Sequence, residues 1–234
     1  MAREVIVTAD KIKRQKRFRR IIKLTLLALL LFLIITYVIL RIIYNEGRFT
    51  ITLNSNKTLE SGIAIYDNLD DTSPKRRLEA IPILFMDNIS WKWLPANIDV
   101  EKDGSHNGNN YIAYSFYVEN QGNLKLNYWY EVIVDEVVRR VDDAIRIMIF
   151  QNEEKTVYAK KNSLSGGPEE GTVSFIEDKE DILILEERKN FMPGDRDRYT
   201  IVIWIEGDDP DCVDYLKGGA MKMHMNLTEE HVKE

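Results

Sequence analysis

Five carboxylates fall within nine residues of the segment Trp204-Ile-Glu-Gly-Asp-Asp-Pro-Asp-Cys-Val-Asp: Glu206, Asp208, Asp209, Asp211 and Asp214. Calcium takes six to eight oxygen ligands, so an oxygen-rich loop behind an apolar strand could hold that ion. The same residues also read as solvated acids at a strand end with Asp-Pro turn chemistry. Their spacing matches no EF-hand loop. A second stretch, Asp99-x-Glu101-x-Asp103-Gly104, opens like a twelve-residue calcium loop with glycine sixth, but Asn110 stands where the bidentate glutamate belongs. Chance loop composition explains it better.

Other reactive residues are sparse. Zinc hydrolysis needs converging His, Cys or carboxylate ligands, usually with H-E-x-x-H on a helix. The chain has three histidines, His106, His224 and His231, and no such motif. His224, within Met221-Lys-Met-His-Met, falls on an alternating strand, where a surface histidine is the simpler reading. No G-x-S-x-G elbow is present for a nucleophilic serine. The single cysteine, Cys212, has acidic neighbours that disfavour its thiolate. No phosphate-cradling glycine loop precedes a helix. No catalytic residue is assigned, and calcium at the 206–214 loop is the one cofactor considered.

The elements that must position these residues are mostly strands. Period-2 alternation runs through Leu124, Leu126, Tyr128, Tyr130, Val132 and Val134, and again through Tyr199, Ile201, Ile203 and Ile205, as in half-buried antiparallel strands. Shorter strands fit Phe49–Leu53, Ile63–Tyr66, Ile83–Trp91, Ile112–Asn120, Ala144–Gln151, Thr156–Ala159, Thr172–Phe175, Ile182–Leu185 and Met221–Leu227. Asn120-Gln-Gly-Asn and Gln151-Asn-Glu-Glu-Lys read as hairpin links. Ser165-Gly-Gly-Pro and Met192-Pro-Gly-Asp read as loops, and Val137–Asp143 as a short helical turn. This pattern predicts a mainly β fold: an antiparallel two-sheet sandwich, jelly-roll-like, over 49–228. With one cysteine an intrachain disulfide is impossible, so the core alone must hold the fold.

Ahead of the strands, Leu24–Leu40 is an uncharged, almost wholly apolar run behind the basic cluster Lys11–Arg20. At about 1.5 Å per residue, this run and its flanks at 21–43 reach the ~30 Å hydrocarbon thickness. Leu24, Leu31 and Leu40 mark the anchor. Lys13, Arg14, Lys16, Arg17, Arg19 and Arg20 set the topology, since cytoplasmic flanks carry the excess of Lys and Arg. A cleaved signal peptide also has a basic stretch and an apolar core, but Arg41-Ile-Ile-Tyr-Asn-Glu-Gly lacks the small-residue cleavage site. The expected order is a basic cytoplasmic tail (1–20), a transmembrane helix (21–43), a linker (44–48), an extracellular domain (49–228) and a polar tail (229–234). Residues 1–48 carry 11 Lys+Arg against 3 Asp+Glu, whereas 49–234 carry 21 against 35. An acidic outer domain excludes nucleic-acid binding by charge attraction.

Tyr114-Ser-Phe-Tyr-Val-Glu-Asn-Gln-Gly, the Leu126–Val134 strand, Asp143-Ala-Ile-Arg-Ile-Met-Ile-Phe and the closing Tyr199–Cys212 segment resemble the camelysin/TasA-like group of exported Gram-positive surface proteins. Gly218-Gly and the Met221–Leu227 strand extend the likeness, which covers roughly 106–227. The resemblance implies a jelly-roll-like sandwich outside the cell and, for matrix members, assembly by donating a strand to a neighbour. Members have also been classed as metallopeptidases, but no zinc motif is present here to carry that activity over. The matrix members are released by a signal peptidase, whereas this sequence keeps a charged exit at Arg41.

The function expected is therefore a membrane-tethered outer domain with a structural, adhesive or matrix-assembly role. Its partners would be the bilayer and, by strand addition, itself or a matrix protein. The rivals are a metal-dependent surface peptidase and a subunit of an envelope membrane complex.

Overall fold

The computed structural model describes residues 2–45, 49–53, 62–179 and 181–230. The chain divides into two compact units, Met1–Glu46 and Gly47–Glu234.

The first unit is one helix, α1 (Ala2–Asn45). The predicted 21–43 span lies inside it, and the basic segment before the span continues the same helix. Its stretch Lys11–Leu40 is long and apolar enough to cross a membrane, by length and composition, and none of it is buried in protein. Leu24, Leu31 and Leu40 are all exposed. Thr25, the one hydroxyl early in the apolar run, donates to the Ile21 carbonyl at 2.6 Å, so its polar hydrogen is satisfied within the helix. Of the predicted 44–48 linker, Tyr44 and Asn45 are helical and 46–48 lie outside the described residues.

The second unit is a β-domain with twelve strands among the described residues. In chain order they are β1 (Thr50–Leu53), β2 (Ile63–Tyr66), β3 (Arg77–Glu79), β4 (Gly104–Ser105), β5 (Tyr111–Asn120) and β6 (Leu126–Val138). Then come β7 (Ile145–Gln151), β8 (Glu154–Ala159), β9 (Val173–Ser174), β10 (Ile182–Phe191), β11 (Arg196–Ile205) and β12 (Ala220–Glu230). They form a five-stranded sheet, β10-β6-β12-β1-β3, and a seven-stranded sheet, β2-β5-β11-β7-β8-β9, with β4 also on β5.

One apolar core draws on both sheets. Ile51, Tyr128, Val132, Met225 and Leu227 of the smaller sheet cluster with Phe116, Ile147, Ile149, Tyr199 and Ile201 of the larger. Successive residues of a strand face opposite ways, so Val202 and Trp204 of β11 face away from that core. They join Ile89, Ile98, Ala113 and Met148 in a second cluster. Residues 89–98 thus cover the larger sheet's other face, and β11 is buried along nearly its whole length.

Several expectations need correction. The sheets are mixed, not wholly antiparallel: β1 runs parallel to β12 and β8 to β9. A parallel pair needs a long crossover, and for β1 and β12 the whole domain supplies it. No strand forms over Ile83–Trp91; that stretch is irregular, making one isolated bridge from Ile89 to Glu206 before a 3-10 turn at Trp91–Trp93. Its alternating apolar residues looked like a strand, yet Phe85 and Trp91 are exposed and only Ile89 is buried.

Asn120-Gln-Gly-Asn is not a hairpin, because β5 and β6 belong to different sheets. The Asn120 amide donates to the carbonyls of Leu124 (3.1 Å) and Phe191 (2.9 Å), while its oxygen accepts from Gly122 N–H (2.9 Å). That buried side chain fastens the crossing between sheets. The Gln151–Lys155 link is a hairpin, pairing Gln151 with Glu154; Asn152 supplies the left-handed residue at φ 55°. The predicted helical turn at Val137–Asp143 shrinks to a 3-10 turn, Val141–Asp143, because β6 runs on to Val138. β12 also extends to Glu230, so the polar tail begins within a strand, and residues 231–234 lie outside the described residues.

Candidate functional site

The carboxylate-rich loop follows β11 at the end of the domain where β7 begins, since Ile205 pairs with Ile145. Glu206 is buried and accepts three hydrogen bonds: from the Trp204 indole (2.9 Å), the Trp91 N–H (3.1 Å) and the Asp208 N–H (3.1 Å). Its negative charge is spent on orphan donors of two loops. Asp209 pairs with Arg146 of β7, and both side chains are buried, at 0% and 5% exposure. The second oxygen of Asp209 accepts from Asp211 N–H at 2.8 Å. Asp211 in turn accepts from the Ser163 hydroxyl and from Ser163 N–H (3.0 Å). Those bonds favour the ionised form and hold its carboxyl below the usual range.

The remaining two acids point elsewhere. Asp208 accepts from the Ser90 hydroxyl at 2.7 Å. Asp214 is exposed and meets Lys217 at 2.8 Å, which lowers its carboxyl pKa. The five residues therefore do not converge on one point. Two of them, Asp209 and Asp211, join Glu169, with one oxygen of each within 4.8 Å of the others. Glu169 was absent from the sequence-based set because it sits 40 positions before Asp209. Three carboxylates are few against the six to eight oxygens calcium takes, and Asp209 is already committed to Arg146. What this arrangement does chemically is fasten the 88–93, 162–169 and 206–214 segments together.

The Asp99–Asn110 stretch is also occupied internally. The Asp99 carbonyl accepts from Arg198 and from the Thr200 hydroxyl. Asp103 accepts from Arg198 (3.0 Å) and from the Tyr117 hydroxyl (3.0 Å). His106 is buried, with its ring nitrogens 3.0 Å from the Gly104 and Ile98 carbonyls. His224 lies on β12 beside Asp135 (3.0 Å). These two histidines have different partners, and His231 lies outside the described residues. Cys212 is half-buried, 3.4 Å from the Asn88 amide. Burial pushes its thiol up, and Asp209 and Glu206 add to that.

Sequence reasoning missed a second polar centre. Asp197, buried at the start of β11, accepts from the Tyr128 hydroxyl (2.7 Å), Arg188 (2.9 Å) and Asn152 (3.0 Å). The hydroxyls of Tyr128 and Tyr199 also meet at 2.7 Å. Nearby, Tyr158 donates to Glu186 at 3.2 Å. Burial raises the pKa of Tyr128, Tyr130 and Tyr199, and pushes Tyr158 up to about 12, with Glu186 contributing. The usable signal was three inward tyrosines, since a buried phenol demands a polar partner.

No protein-family model matches the chain, and no curated protein matches it. The likeness to the camelysin/TasA-like group rests on residue patterns alone.

Proposed function

We propose that this protein is a single-pass membrane protein that displays a β-sandwich at the outer face of the cell envelope and acts there through surface contact, in a structural, adhesive or matrix-assembling role. The observation that carries the reading is the division of the chain. A helix with an uncovered apolar run stands as one unit, and a β-domain with its own core stands as the other. An apolar run with no protein covering it is suited to lipid. The basic residues Lys13, Arg14, Lys16, Arg17, Arg19 and Arg20 ahead of it favour a cytoplasmic N-terminus. The jelly-roll strand order and kinship with the camelysin/TasA-like group belong to the same proposal.

Among the described strands, the longest sheet edge open to strand addition is β10, with β3, β2 and β9 the shorter ones. β10 ends the smaller sheet, with β6 as its neighbour on one side only. Its bulges and its Glu186-Glu187-Arg188-Lys189 run blunt that edge, as protected edges do. Assembly there would be selective for a partner with complementary charge. For the surface-peptidase and envelope-subunit readings, no specific observation stands in favour.

Topology is tested by single-cysteine labelling in intact cells, in a Cys212→Ser background. A membrane-impermeant maleimide should label Leu164→Cys, at an exposed loop position, without permeabilisation, and Lys13→Cys only after it. The reverse pattern would overturn the orientation. Chelator-sensitive cleavage of casein by the purified protein would overturn the contact role.

A further inference from the structure

The segment between β3 and β4 exposes large apolar side chains at one end of the domain. Ile81 is 63% exposed, Leu84 70%, Phe85 90%, Trp91 57% and Trp93 74%. These side chains are held outward by the way the backbone is fastened. Ile81 N–H donates to the Ser105 hydroxyl (3.0 Å), and its carbonyl accepts from Asn107 (2.6 Å). Asp87 N–H donates to Asn110 (3.1 Å), and Trp91 N–H to Glu206. Ile89 and Leu94 of the same segment turn inward to the second core. Five large apolar side chains exposed within the thirteen residues Ile81–Trp93 of an acidic domain point to an interaction surface.

Strand register says which end of the domain this is. Thr50 pairs with Glu79, and Ala80 N–H donates to the Phe49 carbonyl at 2.9 Å. The apolar segment therefore leaves β3 beside Phe49, the first described residue of the β-domain. Phe49 follows Leu40, the last residue of the apolar run, by nine positions.

We propose that Ile81–Trp93 is a second membrane contact: a loop that dips into the outer interface of the bilayer crossed by α1. This rests on the tethered reading above. Tryptophan and phenylalanine beside aliphatic residues, with Asp87 and Lys92 in the same loop, are the mixture found at the headgroup level. The segment also offers no strand edge, which counts against a strand-adding partner. Asp142, Asp208, Asp211 and Asp214 flank the same end, so the contact is apolar and not charge-driven. It should form on zwitterionic lipid and persist in high salt.

The test uses the full chain, Cys212→Ser, reconstituted in phosphatidylcholine vesicles with and without brominated acyl chains. An environment-sensitive fluorophore is placed at Phe85→Cys, with Trp93→Cys as a second reporter. Leu31→Cys reports the helix. Leu124→Cys is an exposed control at the opposite end of the domain, next to the start of β6. The expected result is blue-shifted emission and bromine quenching at 85, 93 and 31, and neither at 124. Quenching at 31 with none at 85 and 93 would overturn this inference and leave the tether standing. A blue shift at 85 without quenching would mean that a second copy or another protein covers the patch, and would also overturn it. No quenching at 31 would defeat the tether, and the inference with it.

Discussion

Asp209→Asn should be among the most damaging single substitutions in the β-domain. The Arg146–Asp209 pair has side chains only 5% and 0% exposed. Replacing the carboxylate by an amide keeps the oxygen that accepts from Asp211 N–H but removes the charge facing the guanidinium. Arg146 is then left buried with its contact to the neighbouring Ile145 carbonyl (3.3 Å). Stranding one partner of a buried pair costs about 3–5 kcal/mol. In a domain of this size each kcal/mol moves the melting point by roughly 2–4 °C, so the expected fall is roughly 6–20 °C. Thermal and urea unfolding of the detergent-solubilised chain, followed by near-ultraviolet circular dichroism, would measure it. The double variant Arg146→Met/Asp209→Asn removes the stranded charge and should regain at least half of the loss. A single-variant cost below about 1 kcal/mol would show that the guanidinium finds water. A double variant no more stable than the single one would also refute the reasoning.

Three further outcomes follow from the same geometry. Glu206→Ala strands the Trp204 indole N–H and the Trp91 and Asp208 N–H groups, at about 1–3 kcal/mol for each donor that water cannot reach. Urea unfolding should show a lowered midpoint, while Asp214→Ala at the exposed end of the loop should leave it in place. Asn120→Ala removes the donor to two carbonyls at the crossing between sheets. It should cost about 1–3 kcal/mol in the same assay, and no change would mean that backbone bonds alone hold the crossing. The buried tyrosines set an alkaline limit. Their folded pKa values are raised, so their contribution is fully present below about pH 10 and is lost as pH rises toward the folded values. Phenolate absorbance should therefore appear together with loss of tertiary signal. Complete ionisation of a still-folded chain would contradict this.

The strands were legible where one face is buried and the other wet. In β6, Leu126, Tyr128, Tyr130 and Val132 are buried while the residues between them are partly exposed, so alternation alone located the strand. The same rule failed at Ile83–Trp91, where apolar residues alternate for a different reason: some face outward and Ile89 packs on the far side of β11. Turn chemistry found the link at Asn120 but could not say which sheet the next strand joins. That choice depends on pairing with β11 and β12, far along the chain. The acidic loop stood out as a cluster, but its meaning lay in Arg146, Ser163 and Glu169. These lie 40 to 63 positions from the acids they meet, and nothing local to either partner signals the contact. Asp197 was hidden likewise, between Arg196 and Arg198, where it reads as one of several charges at a strand start.

The most direct test of the central claim is the N-terminal residue of the mature protein recovered from carbonate-washed membranes. A retained anchor predicts a chain that still carries the Lys11–Arg20 cluster and resists extraction without detergent. A mature chain that begins beyond Leu40 and appears in the soluble fraction would contradict it.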